Sequence, residues 1–145
     1  MIYEVPGWQE SVTQGDLFVN CPAIEMRLAP GTSTDVEVYQ GQSTIIVLTQ
    51  ACDLAQGKVR YVVGALVSPA MELVDQGILR DRLIREQIRK HQVYGWYFLP
   101  ADAALPHWPE SLVDLRNLLT VPLELLTRLA GLGHRPGRLI SPYRE

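Results

Sequence analysis

Within Thr49-Gln50-Ala51-Cys52-Asp53-Leu54 a thiol, a carboxylate and an amide stand almost side by side. A cysteine nucleophile needs a base to take its proton. Asp53 is itself a possible general base, and Gln50 can orient a substrate. The imidazoles on offer are His91, His107 and His134, and none stands at a spacing that brings it to Cys52. The structural alternative is that Cys52 packs in the core as a small hydrophobe, while Asp53 caps a turn or pairs with Lys58. Arg82, Arg85 and Arg89 recur along one helical face, and Arg135, Arg138 and Arg144 follow in the tail. Such a set can meet phosphates, or the tail's Arg135 and Arg138 can simply anchor the chain to acidic residues. Asp81 and Glu86 interleave with it, however. Asp81 with Arg85, Arg82 with Glu86, and Glu86 with Lys90 are spaced for ion pairs across one helical turn, which predicts a solvated, paired face. Tyr94, Trp96, Tyr97 and Phe98 can stack bases or fill the core. His107-Trp108, in a loop flanked by prolines, is a candidate exposed contact. Asp114 and Arg116 fall on one side of a strand and are expected to pair. No Gly-rich phosphate loop, HExxH, GxSxG or EF-hand pattern is present. Cys21 and Cys52 form neither a CxxC pair nor a zinc spacing, so no metal and no cofactor is expected.

The elements that must position these residues follow from periodicity. Gly15-Asp16 reads as a turn opening a strand, Leu17 to Asn20. Ile24, Met26 and Leu28 alternate with Glu25 and Arg27, the period of a strand with one wet face. Pro30 to Thr34 is a loop by composition. Val36 and Val38 mark a second half-buried strand, and Gly41-Gln42 a turn. Ser43 to Thr49 is apolar and β-branched, as in a strand buried on both faces. Gln50 to Lys58 is a polar link, and Val59 to Val67 resumes as a core strand. Ser68-Pro69 resembles an N-cap and first helical residue. One long helix is predicted from there to about His91, with Gly77 as its weak point and Leu79, Leu83, Ile84 and Ile88 on its buried face. Tyr94 to Leu99 is an aromatic strand, Pro100 to Pro109 a loop, and Leu112 to Leu115 a short strand. Pro122 to Leu129 is a helix, stopped by Gly131 and Gly133. Ser141-Pro142 resembles a further helix start.

The chain has 145 residues, 47% of them apolar and 20% charged, with a net charge of −3. That length suits one domain, residues 1–145, able to bury a core without metal or disulfide staples. Its weakly acidic balance gives no general pull toward nucleic acid or an anionic membrane. The longest apolar run, Ile45 to Leu48, is far too short to cross a bilayer. Met1 to Gly7 lacks the basic start and apolar stretch of a signal peptide. A cytoplasmic protein with reduced thiols is expected.

The order of elements resembles the MazF/PemK family of small bacterial toxins. Gly15-Asp16-Leu17-Phe18-Val19 is similar to the family's opening strand, Ile45-Ile46-Val47-Leu48-Thr49 to its apolar strand, and Val62 to Ser68 to the strand after it. The resemblance covers the first half of the chain. It implies an SH3-like barrel, a dimer and metal-independent ribonuclease activity. Ser43-Thr44 stands where the family has Arg-Pro, so the catalytic arginine has no counterpart, and Arg27 lies too early to inherit its role. Ser68 falls near the family's catalytic threonine. The QACDL segment also resembles a QxCDL pattern of uncharacterised bacterial proteins, which implies no activity.

These readings combine into an α+β fold. A small SH3-like (MazF/PemK-like) β-barrel or bent sheet spans about residues 14–68, and one long helix about 69–91. The aromatic strand and a C-terminal helical segment complete it over 93–145. With no catalytic constellation in view, the function expected is a binding or interaction module without catalytic activity. Its partner would be a protein or a second copy, with no membrane role. The alternatives are a MazF/PemK-like endoribonuclease acting on RNA and a thiol enzyme using Cys52. The candidate catalytic residues are Cys52, Asp53 and Ser68. The candidate binding residues are Gln50, Arg82, Arg85, Arg89, His107 and Trp108.

Overall fold

The computed structural model describes residues 2–31 and 34–144. Thr32 and Ser33 of the expected Pro30–Thr34 loop lie outside the described residues. Seven antiparallel strands form one sheet: β1 (Tyr3–Glu4), β2 (Asp16–Leu28), β3 (Val36–Val47), β4 (Tyr61–Pro69), β5 (Trp96–Leu99), β6 (Ser111–Pro122) and β7 (Gly137–Leu139). Their spatial order is β1-β7-β2-β3-β4-β6-β5. The sheet does not close into a barrel, because β1 and β5 are its two edges. The helices are short: α1 (Ala51–Ala55), α2 (Ala70–Asp75), α3 (Asp81–Glu86) and α4 (Leu123–Gly131), with one 3₁₀ turn at Ile88–Lys90.

The centre of the sheet is β3 beside β4. Thr44 to Val47 pair with Val67 to Gly64, and the two strands are joined through α1. Their alternation splits the core. Ile45 and Val47 meet Phe18, Val62, Val121 and the Leu126 face of α4. Ile46 meets Leu17, Ala65, Val67, Val113 and Leu139 on the opposite face. A strand buried on both faces must be apolar throughout, which is why STIIVLT carries no charge. α2, α3 and the 3₁₀ turn cover the far end, packing Leu73, Ile84 and Ile88 on Trp96 and Leu112.

Several expectations need correction. The long helix over 69–91 is broken. Ser68 and Pro69 end β4, and the helix starts one residue later than expected, with Pro69 in the N-cap place and Ala70 as its first residue. α2 then stops at Gly77, where φ is +73°. There the Gly77 N–H donates to the Val74 carbonyl and the Ile78 N–H to the Leu73 carbonyl, the paired bonds of a Schellman stop. Gly41-Gln42 is not a turn, since β3 runs through it with Gly41 opposite Ala23 and Gln42 opposite Pro22. Leu17–Asn20 and Ala23–Leu28 are one strand, carrying a register shift between Phe18 and Cys21. Leu112–Leu115 grows into the twelve-residue β6. The tail's Ser141-Pro142 starts no helix among the described residues, and Gly137–Leu139 before it is a strand.

Candidate functional site: an apolar arm and its groove

α1 holds the Gln50–Asp53 corner at the end of β3. Gln14 Oε1 accepts from the Ala51 N–H at 3.3 Å, and Thr49 Oγ1 accepts from the Val63 N–H at 2.8 Å. Cys52 is exposed, so it does not pack in the core as the structural alternative had it. Its Sγ reaches Gln50 Oε1 at 3.8 Å and Asp53 Oδ1 at 4.0 Å. No histidine bonds to it among the described residues. His91 lies against Tyr97, with ring centroids 4.7 Å apart, and His134 Nδ1 is buried without a hydrogen-bond partner. The buried thiol is Cys21, and burial pushes its pKa up. Ser68 is half-buried in β4, opposite Leu112 of β6. The structure does not gather Cys52, Asp53 and Ser68 into one pocket with a base.

The arginines are occupied. Arg82 bonds Glu86 at 3.1 Å and Arg85 bonds Asp81 at 2.7 Å, both exposed. Glu86 therefore pairs with Arg82 rather than with Lys90. Arg89 leaves the helical face and grips Glu110 with the Nε–Nη2 edge of its guanidinium, at 2.8 to 3.0 Å. Arg116 bonds Asp114 at 3.3 Å and lies over the Trp96 ring, 4.8 Å from its centroid. In the 100–109 loop His107 is exposed with φ +71°. Trp108 turns inward and packs with Tyr3 and Leu105.

The expectation that Arg135 and Arg138 anchor the chain to acidic residues is met by a buried ionic clasp, whose carboxylate, Asp16, sequence reasoning did not name. Asp16 is fully buried and meets Arg135 at 2.9 Å and, closer still, Arg138. Arg135 also donates to the carbonyls of Gly7, Glu10 and Ser11. Arg138 donates to Glu10 at 3.0 Å and to the Ser11 carbonyl. The Gly7 N–H and then Arg138 hold the Glu10 carboxyl below its ordinary pKa. Burial lowers the Arg138 pKa, but Asp16 and Glu10 outweigh it and raise the value. Both guanidinium groups are spent on the protein, so the clasp joins the chain's two ends rather than waiting for an anion.

Sequence reasoning missed the isolation of the outer half of β2–β3. Residues 22–28 pair only with β3, and 36–43 only with β2, among the described residues. This makes a two-stranded arm. Pro22, which has no N–H to give, sits where β2 has lost its β7 neighbour, the kind of edge that tolerates proline. Register places Ile24, Met26 and Leu28 on one face with Gln40, Val38 and Val36. Ile24 is 72% exposed, Met26 70% and Leu28 74%, so the wet face and the apolar face are both in water. The other face is polar and internally paired. Arg27 grips Glu25 at 2.9 and 3.0 Å and lies over the Tyr39 ring, while the Tyr39 hydroxyl donates to Glu37.

Beside the arm, β6 bulges. Ala65 pairs with Leu118 and Leu66 with Asp114, so residues 115–117 have no partner in β4. Asp114 ties the bulge by accepting from the Arg116 N–H at 3.0 Å and from Asn117 Nδ2 at 2.8 Å. Two adjoining cavities of about 510 and 750 Å³ lie between bulge and arm, sharing Ile24, Gln40, Leu118 and Leu119. Their titratable side chains are Glu25 and Tyr39, and both are engaged within the arm. Hydrogen bonding from Arg27, reinforced by its charge, lowers the Glu25 pKa. The groove can bind apolar groups, and its aliphatic hydroxyls, Ser43 and Thr120, have no histidine, cysteine or unengaged carboxylate beside them among the lining residues. No described group of His, Cys, Asp and Glu is arranged to hold a metal. No described helix is long and apolar enough to cross a membrane. The chain matches no protein-family model and no curated protein.

Proposed function

We propose that this protein is a binding module without catalytic activity, and that it presents the apolar face of the β2–β3 arm and the adjoining groove to a protein partner. The observation that carries this reading is the run of Ile24, Met26 and Leu28 standing in water on one ribbon face. Patches of that kind mark interaction sites when they are contiguous rather than scattered. The test is to replace Met26 with a photoreactive phenylalanine analogue and irradiate living cells. A discrete protein adduct is expected from position 26, and none from the same analogue at exposed Thr127 on α4. Equal labelling from both positions, or none from either, would overturn the reading.

The alternative is a metal-independent ribonuclease of the MazF/PemK kind, with the β2–β3–β4 meander as an opened SH3-like core. The pairing of the two apolar strands in the family's order favours it. It expects RNA cleavage in the presence of a chelator and loss of that cleavage in Ser68→Ala. Against it stand the absent Arg-Pro pair and the engagement of Arg82, Arg85 and Arg89 with carboxylates.

A further inference from the structure

We infer that the occupant of the arm's apolar face is a second copy of this chain, the two arms lying face to face about a two-fold axis. The inference rests on the reading that the arm is a docking surface, and it names the partner. A symmetric contact places the same patch on both sides, so the patch must tolerate itself. This one does, because Ile24, Met26, Leu28, Val36 and Val38 carry no charge and the neighbouring polar position is the neutral Gln40. The charges of the two paired strands stand on the opposite face, Arg27 bonded to Glu25 and Glu37 to the Tyr39 hydroxyl, and would stay in water when the apolar faces meet. Nothing on the arm asks for a partner of complementary charge.

Area supports the same occupant. With Leu118 of the groove, the exposed parts of these apolar residues come to roughly 700 Å² per copy, the most that they could bury, and of the order of the ~800 Å² that each partner contributes at a standard-size interface. The ribbon also needs cover. Two paired strands alone are marginal in water, and none of the described residues within 24–40 belongs to an apolar core cluster of the sheet. A second ribbon laid on the first supplies the missing layer to both at once.

Sedimentation equilibrium of the full chain over a range of micromolar concentrations tests this. The expected mass is twice the 16.3 kDa of one chain, nearly insensitive to salt because the contact is apolar. Met26→Glu should weaken association at least ~30-fold, the size of a hot-spot loss. Met71→Glu, at an exposed position on α2, should leave it unchanged. In a Cys52→Ser background, Val38→Cys should oxidise to a covalent dimer, since a residue near the axis faces its own copy. A chain that stays monomeric throughout, or a dimer indifferent to Met26→Glu, overturns the inference. If a monomer still forms an adduct with a different protein from position 26, the binding-module reading survives and self-association alone falls.

Discussion

At the scale of single residues, Asp16 carries the largest individual consequence. It is the carboxylate between two buried guanidinium groups, and its own side chain is fully buried. Replacing it with Asn keeps the shape but leaves two buried cations without their counter-charge. Breaking a buried ion pair in this way costs about 3–5 kcal/mol. Asp16→Asn should therefore lower the urea midpoint sharply, while Asp53→Asn, at an exposed site, should barely move it. The same clasp sets a pH dependence. The Glu10 carboxyl has a folded pKa below its ordinary 4.5, held there first by the Gly7 N–H and next by Arg138. A group whose pKa falls on folding contributes stability above its unfolded value and loses it as pH drops through the folded one. Urea midpoints should hold steady down to about pH 5 and decline below it, and Glu10→Gln should flatten part of that decline. Only half of this was legible in the chain. Arg135 and Arg138 read as residues that anchor the tail to acidic groups, but Gly15-Asp16 reads as a turn opening a strand, so the carboxylate they meet went unnamed. Their meeting spans 119 and 122 residues, a separation at which no local pattern speaks.

At the scale of elements, periodicity reported faces correctly but not what covers them. Leu79, Leu83, Ile84 and Ile88 do turn inward together, and Asp81–Arg85 and Arg82–Glu86 form at their helical spacing. The same signals were silent on whether one helix carries all of them. Gly77 decides that through its backbone. At φ +73° it holds a conformation that L side chains rarely adopt, with open space around it, so a methyl group there meets strain rather than a clash. Gly77→Ala should cost about 1 kcal/mol. Gly131→Ala is the control, at the last residue of α4, where φ is not positive and nothing lies within 4 Å. It should be neutral or stabilising by up to ~1 kcal/mol, because Ala favours helix over Gly. Thermal unfolding of the two variants measures the difference. The arm teaches the same lesson in a strand. Alternation at Ile24, Met26 and Leu28 correctly announces an apolar face, but a period of two is identical whether that face meets a core or water. Gly41 suggested a turn because glycine so often punctuates, yet here it lies within β3 opposite Ala23.

At the scale of the whole molecule, the sheet divides into a body and a projection with different obligations. In the body, β7 sits between β1 and β2, so the last described strand is inserted between the first two, and the clasp of Asp16 with Arg135 and Arg138 locks that seam. The two apolar strands on either side of α1 are the body's centre, which is why their continuous β-branched runs were the most readable part of the chain. The projection obeys another rule, since none of its described side chains between positions 23 and 41 joins any of the three core clusters. Fold and docking can therefore be separated by cutting the arm. Replacing residues 24–40 with Asn-Gly joins Ala23 to Gly41, which already face each other across the strand pair, through the two-residue turn that hairpins favour. The shortened chain should keep its far-ultraviolet dichroism and a urea midpoint close to that of the full chain at low concentration. It should also lose the concentration dependence of melting that a dimer confers on the full chain by mass action. Loss of the cooperative transition in this variant would mean that the arm is part of the body, and that its exposed face serves folding rather than contact.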